Sequence, residues 1–181
     1  MPHCAPGGAA LAATDAVISG EMENAFCAVR PPGHHATRKQ AMGFCFFNNV
    51  AVAAKYALMR HQLKRVAIVD FDVHTAMAPK NLRRRPAHLM VGIFQHPFYP
   101  HSGDKDPAAN MLNGRCRHTQ RAWTSARLSR PTGSAPRRVQ ARMVFISAGF
   151  DALAKTTWAS WAWSRPTTLD HPPHQGHCTA L

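Results

Sequence analysis

The chain has 181 residues, which is enough for one domain with a hydrophobic core and too few for two ordinary domains. A hydrophobic fraction of 45% argues against wholesale disorder, and no run of about 18 apolar residues predicts a transmembrane helix. The formal net charge of +13 is compatible with nucleic-acid binding. Much of this charge lies in residues 80–85 and 115–142, which lack the aromatic interleaving of nucleic-acid-binding modules. A basic nucleic-acid-binding protein is therefore the least favoured interpretation.

The cysteine pattern bears on the cellular compartment. The five cysteines are an odd number and include no C-x-x-C pair, so they predict neither a disulfide framework nor a cysteine zinc site. The first residues carry no basic segment followed by a long apolar run. We expect a protein of the reducing cytoplasm that is not associated with a membrane. The sequence does not indicate an oligomeric state.

Two helices and a short strand are predicted in the first third of the chain. Apolar spacing from Gly8 to Ser19 predicts an amphipathic helix that ends at Gly20. Ala25 to Val29 is short, apolar and followed by a Pro-Pro-Gly turn, which favours a strand. After Gly43, apolar residues recur at helical spacing and predict a second helix: Val50, Ala53, Ala54, Ala57 and Leu58.

Three short apolar runs predict adjacent strands of a parallel sheet. They are Val66 to Asp70, Leu89 to Phe94 and Met143 to Ser147, and polar residues follow each of them. Helices alternating with such strands predict an α/β fold with a central parallel sheet. In that class the functional site lies beyond the carboxyl ends of the strands. Residues 75–88, 114–142 and 152–181 show no sustained period and predict no element.

Two aspartates and a histidine follow the first of these strands at alternate positions. In an extended segment Asp70, Asp72 and His74 project to the same side, so their side chains converge. Carboxylate and imidazole ligands suit zinc, and catalytic zinc sites combine three protein ligands with an open position. A loop cap or a magnesium site explains the same spacing equally well.

Three further motifs contain candidate functional residues. The stiff turn in RPPGHHA presents His34 and His35, which suit a general base and a general acid, although an exposed polar loop has the same appearance. Gly43 and Phe44 in MGFCFFNN, and Tyr99 in HPFYP, suit the wall of an apolar channel. Packing on the core accounts for these aromatic residues as well.

The order of the motifs is more specific than any one of them. RPPGHHA, MGFCFFNNVAVAA, RVAIVDFDVH, GIFQHPFYPHSG and VFISAGFDA occur in this order. Together they resemble the signature blocks of the zinc-dependent histone deacetylase and acetylpolyamine amidohydrolase family, especially its class II-like bacterial members. The resemblance covers residues 8–74, 89–113 and 143–152. It implies that residues 1–181 form a single, incomplete domain with a partial arginase/deacetylase-like fold.

The resemblance also implies the chemistry of the site. The expected activity is zinc-dependent removal of acetyl groups from N-acetyl-lysine or acetylated polyamines. His34 and His35 resemble the two catalytic histidines of the family, and Asp72 and His74 resemble two of its three zinc ligands. Asp70 resembles the carboxylate that hydrogen-bonds His34. Potassium is a second expected cation, because Asp70 and its neighbours resemble the family's potassium site.

The resemblance assigns three further residues to substrate binding. The carbonyl of Gly43 corresponds to the acceptor of the acetamide N–H. Phe44 and Tyr99 correspond to the aromatic walls of the substrate channel.

The chain departs from the family pattern at several positions. Met77 stands where the family has the acid or amide that orients His35, and Thr156 stands where it has its third zinc ligand. No counterpart of the family's transition-state tyrosine or histidine precedes Leu181. We therefore expect impaired activity. The alternative is a catalytically inactive family fragment or pseudoenzyme.

Overall fold

The computed structural model describes residues 5–77, 87–102, 109–116 and 140–151. These ranges contain two α-helices, α1 (Ala5–Ser19) and α2 (Asn49–Arg60). They also contain four strands: β1 (Val66–Asp70), β2 (His88–Gln95), β3 (Met111–Cys116) and β4 (Met143–Ser147). None of the helices in the described ranges is long and apolar enough to cross a bilayer.

The four strands form one parallel sheet in the order β3-β2-β1-β4. Val69 of β1 lies opposite Val91 of β2 on one side and Ile146 of β4 on the other. The prediction of a central parallel sheet is thus confirmed, and so are the three predicted strands. All of β2 is buried, as expected for a strand inside a parallel sheet.

Helix α2 packs its alanine-rich face on the sheet. Asn48 caps the helix by accepting a hydrogen bond from the Ala51 amide at 3.1 Å. The buried residues of α2 are all alanines, whose small side chains allow a close approach to β1 and β4: Ala51, Ala53, Ala54 and Ala57. Helix α1 packs against this cluster through Ala10, Val17 and Ile18. It begins at Ala5 rather than at the predicted Gly8, and it is followed by Gly20 at φ +82°.

Two predictions about strands need correction. Residues 25–29 form no strand; the one backbone hydrogen bond within the segment runs from Val29 N to Cys27 O at 3.0 Å. An apolar run becomes a strand only where a partner edge is available, and here none pairs with it. Strand β3 was not predicted, because MLNGRC has no apolar alternation. It forms through pairing with β2. The unpatterned residues 117–139 and 152–181 lie outside the described ranges.

Candidate active site

The segment that leaves β1 is folded by two successive side-chain-to-backbone hydrogen bonds. Asp70 Oδ1 accepts from the Asp72 amide at 3.1 Å, and Asp72 Oδ1 accepts from the His74 amide at 2.7 Å. Such Asx turns curl the chain tightly. Asp72 and His74 are brought together, as predicted. The cause is different, because β1 ends at Asp70 and the turns replace the extended alternation that we expected.

Asp151 joins this pair from the segment that follows β4. Its Oδ1 accepts from the Val73 amide at 3.2 Å, and its Oδ2 lies 2.8 Å from His74 Nδ1. His74 Nδ1 is also 2.9 Å from Asp72 Oδ1. Asp72, His74 and Asp151 each offer one atom that could bind a metal ion, and these three atoms lie within 4.8 Å of one another. Two carboxylates and an imidazole form the kind of three-ligand set that catalytic zinc sites use, so the residues present fit zinc.

Electrostatics of the cluster favour a cation at this point. Partial burial lowers the pKa of His74, but hydrogen bonds to Asp151 and Asp72 outweigh it and raise the pKa to about 9. Burial raises the pKa of Asp72, but the His74 hydrogen bond and the charge of His34 outweigh it and lower the pKa below its usual value. The two carboxylates that raise the pKa of His74 would also stabilise a bound metal cation, and binding of the metal would require His74 to lose its proton.

His34 lies beside the cluster and pairs with Asp70. His34 Nδ1 is 3.2 Å from Asp70 Oδ2, and the two side chains are only 8% and 2% exposed. His34 Nε2 lies 3.8 Å from Asp72 Oδ2. Burial lowers the pKa of His34, but the Asp70 carboxylate and then the Asp72 charge outweigh it, so the pKa is raised above 6.5. Asp70 therefore contacts His34 and the Asp72 backbone at once.

His35 is adjacent but lacks an equivalent partner. Its ring centroid lies 3.9 Å from that of His34 with the two planes tilted by 38°, and Tyr99 meets it edge-on at 5.0 Å. Burial, and then the charge of His34, lower the pKa of His35 to about 4, although the charge of Asp72 and a hydrogen bond with the Thr75 backbone act in the opposite direction. Among the described residues, no group hydrogen-bonds to His35 Nδ1. The Met77 backbone amide donates a hydrogen bond to His34 O at 2.8 Å.

Gly43 lies against the face of His35. It has φ +55°, and a Cβ at this position would come within 2.7 Å of His35 Cγ. Only glycine permits both the conformation and the contact. The next residue, Phe44, is 90% exposed, and Tyr99 is 38% exposed. These two aromatic side chains therefore lie at the surface and not in the core, which removes core packing as the explanation for them.

Two residues of the site, Asp151 and Gly149, were not identified from the sequence. Asp151 and Gly149 follow β4, and a Cβ on Gly149 would come within 2.5 Å of Asp72 Cα. Phe98 stacks on His74 with ring centroids 4.7 Å apart. The aspartate that ends VFISAGFD, four residues beyond the predicted strand Met143 to Ser147, was the available signal for Asp151. Thr156, expected at the position of the third ligand, lies outside the described residues.

Comparison with known proteins agrees with this arrangement. Residues 4–170 match the family described as Histone deacetylase domain. The chain belongs to this family. It is 37% identical over 157 residues to "Histone deacetylase-like amidohydrolase" of Pseudomonas aeruginosa, an alignment that covers 81% of this chain and 41% of that protein. It is 53% identical over 74 residues to "Polyamine deacetylase HDAC10" of Homo sapiens, covering 40% of this chain and 11% of that one.

A solved structure extends the likeness to the fold. The acetylpolyamine aminohydrolase from Burkholderia pseudomallei superposes with a TM-score of 0.78 at 29% identity, covering 87% of this chain and 48% of that chain. The family member described here therefore has an arginase/deacetylase-like fold with a central parallel sheet. It spans less than half the length of these relatives.

Proposed function

We propose that this chain is a zinc-dependent hydrolase that removes acetyl groups from N-acetyl-lysine or acetylated polyamines. The observation that carries the proposal is the convergence of Asp72, His74 and Asp151 beside the adjacent rings of His34 and His35. Zinc held by these three residues would polarise the acetyl carbonyl and acidify water. Potassium at the Asp70 segment remains a secondary prediction.

The two histidines suit opposite roles in proton transfer. His35 has a pKa of about 4 and is neutral near pH 7, so a ring nitrogen is available to accept a proton. His34 has a raised pKa and shares its Nδ1 with Asp70, so its Nε2 can carry a proton to the departing amine. Two neighbouring groups whose pKa values are moved apart are typical of an acid and base assignment.

The substrate class is proposed from both relatives and surface chemistry. The relatives include proteins named for histone and polyamine deacetylation. Tyr99 lies edge-on to His35 and Phe44 directly follows Gly43, and both side chains are exposed and suit contact with the aliphatic chain of an acetylated amine. The Gly43 carbonyl, which also accepts from Cys45 Sγ at 3.3 Å, is the proposed acceptor for the acetamide N–H. We retain a single domain over residues 1–181 and a cytoplasmic location as parts of the proposal.

A metal-binding family member without catalysis is the second candidate. The observation in its favour is that His35 Nδ1 has no hydrogen-bond partner in the described ranges, so no hydrogen bond at that atom helps to hold the orientation of the ring or selects its tautomer. Loss of orientation lowers turnover without removing the zinc ligands. This reading is also the reason that we expect low turnover if the chain is active.

An assay of the purified, zinc-loaded chain separates the two candidates. The substrates are acetyl-lysine peptides and acetylated polyamines, and His34→Ala is the control. Turnover that the control abolishes supports the hydrolase. Zinc binding that depends on Asp72 and His74 without any turnover supports the second candidate. Absence of both zinc binding and turnover overturns the proposal.

A further inference from the structure

A single buried amide connects helix α2 to the backbone of the histidine pair. Asn48 is only 5% exposed. Its Nδ2 donates to His34 O at 3.2 Å and to Ala36 O at 3.0 Å. Its Oδ1 accepts from the Ala51 amide at 3.1 Å and so caps α2. The side chain thus hydrogen-bonds to the carbonyls of the two residues that flank His35, and it caps the first turn of α2 at the same time.

The pattern of partners fixes the orientation of the Asn48 amide. A side-chain amide has two N–H donors on one atom and an acceptor on the other. Exchanging the two atoms would direct N–H groups at the Ala51 amide and an oxygen at two carbonyls, so only one orientation satisfies all three partners. The histidine backbone is therefore tied to a rigid element by a group that has a single arrangement.

The connection bears on the histidines because their rings depend on backbone placement. His34 O also accepts from the Met77 amide at 2.8 Å, so Asn48 and Met77 hold this carbonyl from two directions. The Ala36 carbonyl is held by Asn48. Since His35 Nδ1 has no hydrogen-bond partner among the described residues, the ring is placed by its backbone and by packing against Gly43, His34 and Tyr99.

We propose that Asn48 is a positioning residue. Beyond its role as a helix cap, its two donated hydrogen bonds fix the backbone position, and so the ring positions, of His34 and His35. The effect of Asn48 on catalysis rests on the proposed function, whereas the test of its positioning role does not. A cap alone needs only the Oδ1 acceptor, which aspartate also supplies. Positioning needs the two Nδ2 donors, which aspartate lacks and replaces with an oxygen facing two carbonyls.

The test compares Asn48→Asp with Asn49→Asp in the full chain. Both variants add one negative charge at the N-terminus of α2, where the helix dipole favours it equally. Asn49 donates one long hydrogen bond of 3.5 Å, to Pro31 O. The readout is the NMR spectrum of the histidine rings in 15N-histidine-labelled protein, with circular dichroism to follow helix content. Neither readout requires zinc or turnover, so failure of the proposed function would leave this test intact.

We expect Asn48→Asp to shift the ring signals of His34 and His35 while helix content stays constant, and Asn49→Asp to leave those signals in place. Equal shifts in both variants would show an effect of charge alone and overturn the proposal. So would unchanged signals in Asn48→Asp. Where the zinc-loaded chain turns over, Asn48→Asp should lower kcat on the order of 100-fold with KM little changed.

A second measurement covers the case in which Asn48→Asp does not fold. In the unsubstituted chain, scalar couplings across the hydrogen bonds should join Asn48 Nδ2 to the carbonyl carbons of His34 and Ala36. The Nδ2 protons should also exchange with solvent more slowly than those of Asn49. Absence of both couplings, with exchange as fast as that of Asn49, would contradict the proposal.

Discussion

A histidine-aspartate pair at the surface of this molecule is shorter than the buried His34–Asp70 pair of the candidate site. At the surface between α1 and α2, His61 Nε2 lies 2.6 Å from Asp15 Oδ1, with the side chains 23% and 50% exposed. At the end of β1, His34 Nδ1 lies 3.2 Å from Asp70 Oδ2, and both side chains are buried. Water screens the first pair and is excluded from the second. Distance alone therefore does not identify a chemically useful pair.

The surroundings of the two pairs differ as well. Asp15 has one further partner, the Tyr56 hydroxyl, which donates to its Oδ2 at 3.1 Å. The His34–Asp70 pair is joined to Asp72, and Asp72 is joined to His74 and Asp151. The buried pair thus differs from the surface pair in its exclusion from water and in its connection to further charged groups. Each of the following substitutions tests this contrast.

The largest effect on stability is expected from Asp70→Ala. Removal of one member of a buried pair leaves the other without its counter-charge, which costs about 3–5 kcal/mol when that charge persists. The Asp72 amide also loses its acceptor. Urea denaturation should show this loss, and Asp15→Ala should give a much smaller one. Equal losses in the two variants would show that burial does not distinguish the pairs.

The next effect concerns zinc affinity. Asp151→Ala removes one of three donors, so zinc should bind weaker by more than the roughly 10–100-fold that follows loss of a supporting group around a metal. Titration in metal buffers measures this, with Glu23→Ala as an exposed acid outside the site. If Asp151→Ala binds zinc as tightly as Glu23→Ala does, Asp151 is not a ligand.

A smaller effect is expected where the site depends on close packing. Gly149→Ala places a Cβ against Asp72 and should destabilise the fold by about 1–3 kcal/mol, as overpacking does. The matched variant is Gly8→Ala in α1, where a Cβ meets no atom within 4 Å. That variant should stabilise the helix by roughly 0.5–1 kcal/mol. Thermal melts measure the change in stability of each variant. A Gly149→Ala variant as stable as the unsubstituted chain would show that Asp72 has room to move.

The smallest effect is expected at the surface pair, through pH. The His61 hydrogen bond lowers the pKa of Asp15 below its usual 3.8. A carboxyl with a depressed folded-state pKa contributes stability above its unfolded pKa and loses it as pH falls through the folded value. The Tm difference between the unsubstituted chain and Asp15→Asn should therefore be present near pH 6, decline as the pH falls below 3.8 and disappear below the folded-state pKa of Asp15. A difference that persists at the lower pH would mean that the carboxylate charge is not its source.

Local patterns were sufficient for much of the fold and for part of the site. Helix α2 was predicted because its apolar residues recur at helical spacing, and strands β1, β2 and β4 were predicted because each is a short continuous apolar run followed by polar residues. Strand β3 was missed and residues 25–29 were wrongly assigned to a strand. A strand depends on an available neighbouring edge, and MLNGRC has one in β2 whereas residues 25–29 have none in the part of the chain that the structure describes.

The sequence by itself determined which chemical groups follow β1 and the order in which they come: Asp70, Asp72 and His74. It also placed two histidines on a stiff loop. Only the tertiary structure decided which distant residues complete the site. Val73 and Asp151 are 78 positions apart, and they meet because β1 and β4 are parallel neighbours whose carboxyl ends open at the same edge. Asn48 likewise reaches the histidine backbone only through the packing of α2, which no local pattern encodes.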